Sequence, residues 1–375
     1  MSKIKSIKAR KILDSRAQWT VEVDLVTDRG FFRDSAPSGA SKGKHEAKTV
    51  DSQTAVMNVN RIAAPRLKGK NVADQKGIDE ILKKLNIGAN ATTPISMAVC
   101  RAGAAAQGQP LYKYLGNIFL PIGKNILQLP RAAFNVINGG AHAENDLDFQ
   151  EFMVLPQEKT FRKSLEAAAE IYQKLRKKLG KNVGDEGGFA PPFQIPEQAL
   201  ELIKDNKVII DVAASQFYSE GKYKIKRGVF TPEGFIRYYR NLVKKYPIIG
   251  LEDPFSETDL ASWKKFKPNI LIIGDDLLVT NPARIKTAKE KNLCNGLLLK
   301  INQIGTVTEA LEAAKLAKSY GWKIMVSHRS GETCDDFISD FAVGIGADYI
   351  KAGAPARVER TAKYNRLLRI EEELK

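Results

Sequence analysis

Lys207-Val-Ile-Ile-Asp211 is a short apolar run that stops on a carboxylate, and phrases of the same kind return five times further along the chain. They are Ile248-Ile-Gly-Leu-Glu252, Ile270-Leu-Ile-Ile-Gly-Asp275, Gly296-Leu-Leu-Leu-Lys300, Lys323-Ile-Met-Val-Ser-His328 and Asp348-Tyr-Ile-Lys351. Each run ends on a charged or hydrogen-bonding residue and gives way to a helix-like stretch. Apolar runs of this length suit strands buried on both faces, as in a parallel sheet. Counted from Glu186, the terminal residues follow at intervals of 25, 41, 23, 25, 28 and 23, room for one strand, one helix and two loops per unit. That beat predicts a (β/α) barrel, whose strands all open at their carboxyl ends on one face. The rival, an open doubly wound sheet, would bring only some of these ends together.

Upstream the pattern changes. From Trp19 to Leu25, Val21, Val23 and Leu25 alternate with Glu22 and Asp24, as in a half-buried strand. A Gly/Pro/Ser-rich loop at 35–43 follows, then helical segments that include an Ala-rich stretch from Pro94 to Ala106, suited to close packing. The expected architecture is α/β, with a mobile-loop-bearing α+β domain over residues 1–124 and the barrel over 125–375. A chain of 375 residues, 43% hydrophobic and 27% charged, has the length for two domains and the apolar surface for a large core.

No apolar run approaches the roughly 18 residues needed to span a bilayer, and the opening MSKIKSIKARKILDSR is interrupted by charge throughout. Neither membrane insertion nor secretion is expected. Cys100, Cys294 and Cys334 are widely spaced and odd in number, which reads as reduced thiols in a cytoplasm. The net charge of +16 favours anionic partners without choosing among them. Its densest cluster, at 174–181, lies on an amphipathic helical pattern with no nucleic-acid-reading motif, so it reads as a solvated face rather than a site for nucleic acid.

On a barrel, the strand ends would converge. Asp211, Glu252 and Asp275 supply three hard oxygen ligands and no thiolate, a set that favours Mg²⁺. Lys300 and Lys351 follow on the same rim. Beside a divalent cation, repulsion favours a neutral amine, and Lys300, after its apolar run, is the better candidate for a general base. Glu186, in the Gly-rich 182–188 segment, and Glu151, in an apolar setting, would act as an acid if they are neighbours, because two adjacent carboxylates push one pKa up. A base, an acid and a cation between them are the equipment for removing a proton α to a carboxylate, which points to a lyase.

Motifs along nearly the whole chain resemble the enolase family, glycolytic phosphopyruvate hydratases that interconvert 2-phosphoglycerate and phosphoenolpyruvate. They are ILDSR at 12–16, SGAS at 38–41, NVINGGAHA at 135–143, QEFM at 150–153, VGDEGGFAP at 183–191 and DVAAS at 211–215. EDPF at 252–255, GDDL at 274–277, LLLKINQIG at 297–305, SHRSGET at 327–333 and IKAGAP at 350–355 complete the set in family order. The resemblance implies that Asp211, Glu252 and Asp275 bind a first Mg²⁺, that Lys300 is the base, and that Glu186, partnered by Glu151, protonates the departing hydroxide. It assigns substrate binding to His142, Glu151, His328, Arg329, Ser330 and Lys351, with Lys351 facing the carboxylate and Arg329 and Ser330 gripping the phosphate. Ser41 would close over the substrate and hold a second Mg²⁺ that arrives with it. It further implies one reversed barrel strand and a homodimer or larger homo-oligomer, with Glu22 and Arg369 as a cross-subunit ion pair.

The chain departs from that pattern in places. It is shorter, with apparent deletions after His45-Glu-Ala, near Asn86 to Gly88 and between Pro192 and Val208. Ala17-Gln-Trp19 stands where the family has Gly-Asn-Pro, Lys42 and Lys44 sit in the mobile loop, Gln216 replaces a Glu and Ala352 a Thr. Two rival functions are another acid dehydratase or racemase of the same superfamily, and a catalytically idle paralogue that binds RNA or protein partners. The 327–333 and 38–41 motifs speak for a phosphorylated substrate, and retention of every proposed catalytic side chain speaks against an idle copy. Gly39-Ala-Ser41-Lys-Gly43 satisfies the GxSxG hydrolase pattern, but Pro37 and a polar approach do not make the strand-turn-helix elbow which that motif requires.

Overall fold

The computed structural model describes residues 2–39, 43–120 and 127–375. Ser41, Lys42 and the expected domain boundary at 124/125 lie outside the described residues.

Strands β1 (Ser6–Leu13), β2 (Trp19–Val26) and β3 (Phe31–Ser35) form an antiparallel meander. Val21, Val23 and Leu25 are fully buried, as their alternation requires, beneath the helices Ser52–Asn58 and Ala89–Ala106. The small residues of Ala89–Ala106 admit close neighbours: a Cβ on Gly103 would fall 2.5 Å from the Tyr114 hydroxyl. Ala17, where the family carries Gly, has φ 56°, a left-handed conformation that a Cβ makes costly.

The barrel strands are β4 (Arg131–Asn138), β5 (Glu151–Leu155) and β6 (Lys207–Asp211), then, after a small sheet, five more. The small sheet, β7 (Tyr218–Ser219), β8 (Lys222–Ile225) and β9 (Gly228–Phe230), fills the longest interval between the repeated phrases. The remaining staves are β10 (Ile248–Glu252), β11 (Leu271–Gly274), β12 (Gly296–Leu299), β13 (Lys323–Ser327) and β14 (Tyr349–Lys351). All six phrases are therefore strands. They close in the order β10-β11-β12-β13-β14-β4-β5-β6, with β5 antiparallel to both neighbours and the other pairings parallel.

Glu186, the origin of the interval count, lies on a loop and ends no strand. The staves that precede β6 are β4 and β5, which escaped the count because β4 ends on neutral Asn138 and the reversed β5 begins, rather than ends, on its carboxylate.

Strand periodicity places the chemistry. Met153, Ile209, Ile273, Leu298 and Met325 fill the barrel interior, whereas Ile210, Leu297, Leu299, Ile324 and Val326 face the surrounding helices. Side chains two positions apart share a face. Glu151, Asp211, Asp275 and Lys300 each lie two residues from an inward side chain, and Lys351 stands in the same relation to Tyr349. On β10 a register shift between Ile248 and Gly250 brings Glu252 into line with inward Ile273.

The amino-terminal domain is fastened to the barrel by buried polar contacts. Asp79 accepts from the backbone N–H (3.0 Å) and hydroxyl (2.6 Å) of Thr308, at the start of the barrel helix Val307–Ser319. The hydroxyls of Thr92 and Thr93 donate to the Gly305 carbonyl at 2.9 and 3.1 Å.

Lys174, Arg176, Lys177 and Lys178 are exposed on the helix Phe161–Leu179, while Leu175 is buried, the solvated face expected of them. Glu22 is paired within the chain by Arg10 (2.5 Å) and Arg33 (3.4 Å), and Arg369 is exposed. Among the described residues no helix is long and apolar enough to cross a membrane.

Candidate active site

The mouth of the barrel carries a polar cavity lined by His142, Glu151, Glu186, Asp211, Asp275, Lys300, His328, Arg329, Ser330 and Lys351. Glu252 lies just beneath, fully buried. Every described residue assigned to the site from sequence is thus gathered in one place. Ser41 lies outside the described residues.

The Lys351 ammonium sits among carboxylates: 2.8 Å from both oxygens of Glu252 and 3.2 Å from Asp211 and Glu151. Burial alone would push this amine toward neutrality, but the surrounding carboxylates, Asp211 foremost, hold its pKa well above the ordinary lysine value. Glu252 is displaced upward, first by burial and then by the neighbouring Asp211 charge. The ring is therefore built for a cation, and an ammonium stands in it.

Asp275 is engaged elsewhere, by the Lys300 ammonium at 2.5 Å and the Gln303 amide at 2.8 Å. Burial disfavours a charged Lys300, yet Asp275 holds its pKa above the usual value. A carboxylate neighbour favours the charged amine, whereas the neutral form expected from sequence belongs to a Lys300 that faces a divalent cation.

Among the described residues, two groupings bring ligand atoms within 4.8 Å of one another: His142 with Glu151 and Glu186, and Asp253 with Asp275 and Asp276. Asp253 spends both oxygens on the backbone N–H groups of Asp275 (2.9 Å) and Asp276 (2.7 Å), which makes it a strut for that loop. Asp211, Glu252 and Asp275 do not form such a grouping here, since Lys351 lies between the first two and Lys300 holds the third.

Glu151 and Glu186 are the neighbours that the acid reading required. Burial first, and the Glu186 charge after it, push Glu151 well above the ordinary carboxyl range. Burial also opposes ionisation of Glu186, but the His328 and His142 rings beside it hold its pKa well down. Asn135 donates to Glu186 at 3.0 Å, and the His328 and His142 rings stand 3.4 and 3.5 Å from it. Of the two, Glu151 is the carboxyl that burial and its neighbour favour in the protonated form, and its Oε2 has no hydrogen-bond partner among the described residues.

Arg329 is held in a two-pronged pair by Glu46, at 3.0 Å on each prong, and also donates to Asn302 at 3.2 Å. That fork geometry suits a phosphate as well as a carboxylate. Gln216, at a position where the family has Glu, donates to Gln150 at 2.7 Å, and Gln150 in turn reaches Asp211 at 3.2 Å. Sequence reasoning did not single out Glu46, Gln150, Asn135 or Arg360. Gln150 and Asn135 each open a quoted motif and Glu46 lies in the quoted His45-Glu-Ala stretch, but Arg360 carries no signal: in a helix rich in charge it reads as one more surface residue.

His328 is buried, and desolvation lowers its pKa from 6.5 to about 4. A histidine depressed in the folded state binds fewer protons there than when unfolded, so stability falls as pH drops through the 6.5-to-4 window. Urea unfolding at both ends of that window is expected to show a loss on the order of 3 kcal/mol from this ring. His328→Gln should flatten that part of the profile, and an unchanged slope would contradict the assignment.

Residues 126–375 match the family model described as enolase, C-terminal TIM barrel domain, and residues 4–115 match enolase, N-terminal domain. A protein named enolase from Mastigamoeba balamuthi is 47% identical over 426 aligned positions, covering 100% of this chain and 96% of the relative. A protein named enolase 1 from Entamoeba histolytica is 46% identical over 422 positions, covering 99% and 96% respectively. Both alignments run longer than the chain, in keeping with the internal deletions read from its sequence.

Proposed function

The chain belongs to the enolase family and is a lyase, a phosphopyruvate hydratase of glycolysis, and from that premise we propose how its own residues carry the reaction. The substrates are 2-phosphoglycerate and phosphoenolpyruvate, interconverted in both directions. One observation supports the reading above all. In the closed order of staves, Lys300 follows β12 and Glu151 opens β5, four staves apart whichever way the ring is counted. A base and an acid therefore face each other across the mouth, with the carboxylate ring between them.

Asp211, Glu252 and Asp275 would hold the first Mg²⁺, and Ser41 the second. Their all-oxygen donor set and the ammonium now seated among them fit such a cation. When bound, Mg²⁺ would supply positive charge that takes over these carboxylates from Lys351 and Lys300 and balances the charge developing on the substrate carboxylate.

With Asp275 given over to the cation, Lys300 would be neutral and its Nζ takes the proton from C2; the electron pair of the broken C–H bond is held in the substrate carboxylate until it forms the C2–C3 double bond and the C3 hydroxyl leaves. Glu186, sharing the proton kept by Glu151, delivers it to that hydroxide, which departs as water. Lys351 and His142 orient the substrate carboxylate end. Arg329 and Ser330 bind the phosphate, which displaces Glu46 from the guanidinium fork, while His328 bears on Glu186.

The same reading makes the protein a cytoplasmic homodimer or larger homo-oligomer. Leu13 and Trp19, paired across β1 and β2 and 54% and 57% exposed, offer an apolar surface for a second copy. Absorbance-monitored formation of phosphoenolpyruvate from 2-phosphoglycerate tests the substrate assignment. Turnover of that acid, and none of a non-phosphorylated sugar acid, is the expected result; the reverse preference would overturn it.

A further inference from the structure

Arg360, on the helix Val358–Glu373, is completely buried and approaches the site from behind. Its Nη1 lies 2.6 Å from His328 Nδ1 and 2.6 Å from the Arg329 carbonyl oxygen. Its Nη2 donates to the carbonyls of Ser330 (2.6 Å) and Asp185 (3.0 Å) and stands 3.4 Å from the Ser15 hydroxyl. Glu359, 3.4 Å from Nε, balances the charge. The backbone makes room for the side chain: a Cβ on Gly353 would fall 2.7 Å from Arg360 Cδ.

A guanidinium carries donors and no acceptor. His328 Nδ1, facing it at hydrogen-bond distance, must therefore present its lone pair. The ring is neutral near pH 7, since burial and then, more weakly, the Arg360 charge hold its pKa down to about 4 against the pull of Glu186. A neutral ring with a lone pair on Nδ1 carries its hydrogen on Nε2, the atom 3.4 Å from Glu186. The other tautomer would set N–H against N–H at Arg360 and a lone pair against a carboxylate at Glu186.

We propose that Arg360 is a positioning residue that selects the Nε2–H tautomer of His328, turning that N–H toward Glu186 while tying the Asp185 and Arg329-Ser330 backbones to one side chain. This deepens the reading of Glu186 as the group that handles the departing hydroxide, and rests on it for its effect on turnover. A lysine cannot reproduce it, because one ammonium does not span Nδ1 and three carbonyls with the fixed fork of a guanidinium.

The chain has three histidines, so ¹⁵N-histidine spectra are simple to assign with the His328→Gln variant as reference. His328 is expected in a single Nε2–H form in the wild type. In Arg360→Met it should become a mixture, with kcat reduced by about 10²-fold, the size usual for loss of a partner that orients a working residue, and KM much less changed. Arg360→Lys keeps the charge and is expected to lose the tautomer as well; it supplies the same reading if the Met variant does not fold. An Nδ1–H form in the wild type, or an unaltered Nε2–H form in a folded Arg360 variant, would overturn the proposal. A tautomer lost as expected, together with wild-type hydroxide loss in Glu186→Gln, would uphold tautomer selection and sink the role given to Glu186.

Discussion

Lys300→Ala is expected to abolish exchange of the C2 proton of 2-phosphoglycerate with solvent and to lower turnover by about 10⁴-fold, the upper end for a positioned general base. Among the described residues its amine is held by one short contact, to Asp275, and its stave stands opposite the acid pair. Alanine leaves Asp275 still fixed by Gln303, so the carboxylate ring should survive and substrate should still bind. The complementary variant separates the two halves of the reaction. Glu186→Gln keeps a hydrogen-bonding side chain beside Asn135 and His328 but cannot carry the proton, so C2 exchange should persist while hydroxide loss stops. Isotope exchange followed by NMR checks both, and equal exchange in wild type and Lys300→Ala would refute the base assignment.

The second large effect belongs to Glu252. Replacing it by Gln removes one of the charges that make the ring attractive to a cation while preserving its volume in a fully buried position. Metal-dependent turnover is expected to fall by about 10³-fold, matching the several kcal/mol that a Lewis acid contributes to such a step. Chelation of the wild-type protein should have at least as large an effect. Calorimetric titration with Mg²⁺ should show the affinity lost in Glu252→Gln, and undiminished binding would move the cation to another grouping, such as Asp275 with Asp276.

The barrel was legible in the sequence because its staves are buried on both faces and each ends on a residue that has to meet water or a ligand. Ile209 before Asp211, Ile273 before Asp275 and Leu298 before Lys300 are the same statement, that an inward apolar residue is followed two places later by chemistry. The start of the barrel was not legible from the count of strand ends, because the reversed β5 carries Glu151 at its beginning; only the family resemblance supplied the reversed strand. The charge on Lys300 was also out of reach, because it depends on whether Asp275 faces an ammonium or a metal ion. Arg360 lay hidden for another reason: charge in a helix marks a surface by default, and nothing local shows that the helix turns this residue, like Lys363, into the core.

The most direct test is a crystal of the protein grown with Mg²⁺ and phosphoenolpyruvate. Mg²⁺ bound by Asp211, Glu252 and Asp275 at about 2.0–2.1 Å, Lys351 withdrawn to the ligand carboxylate, and Lys300 Nζ within reach of C2 is the predicted result. Lys351 still seated among the carboxylates, with Lys300 far from C2, would contradict the account.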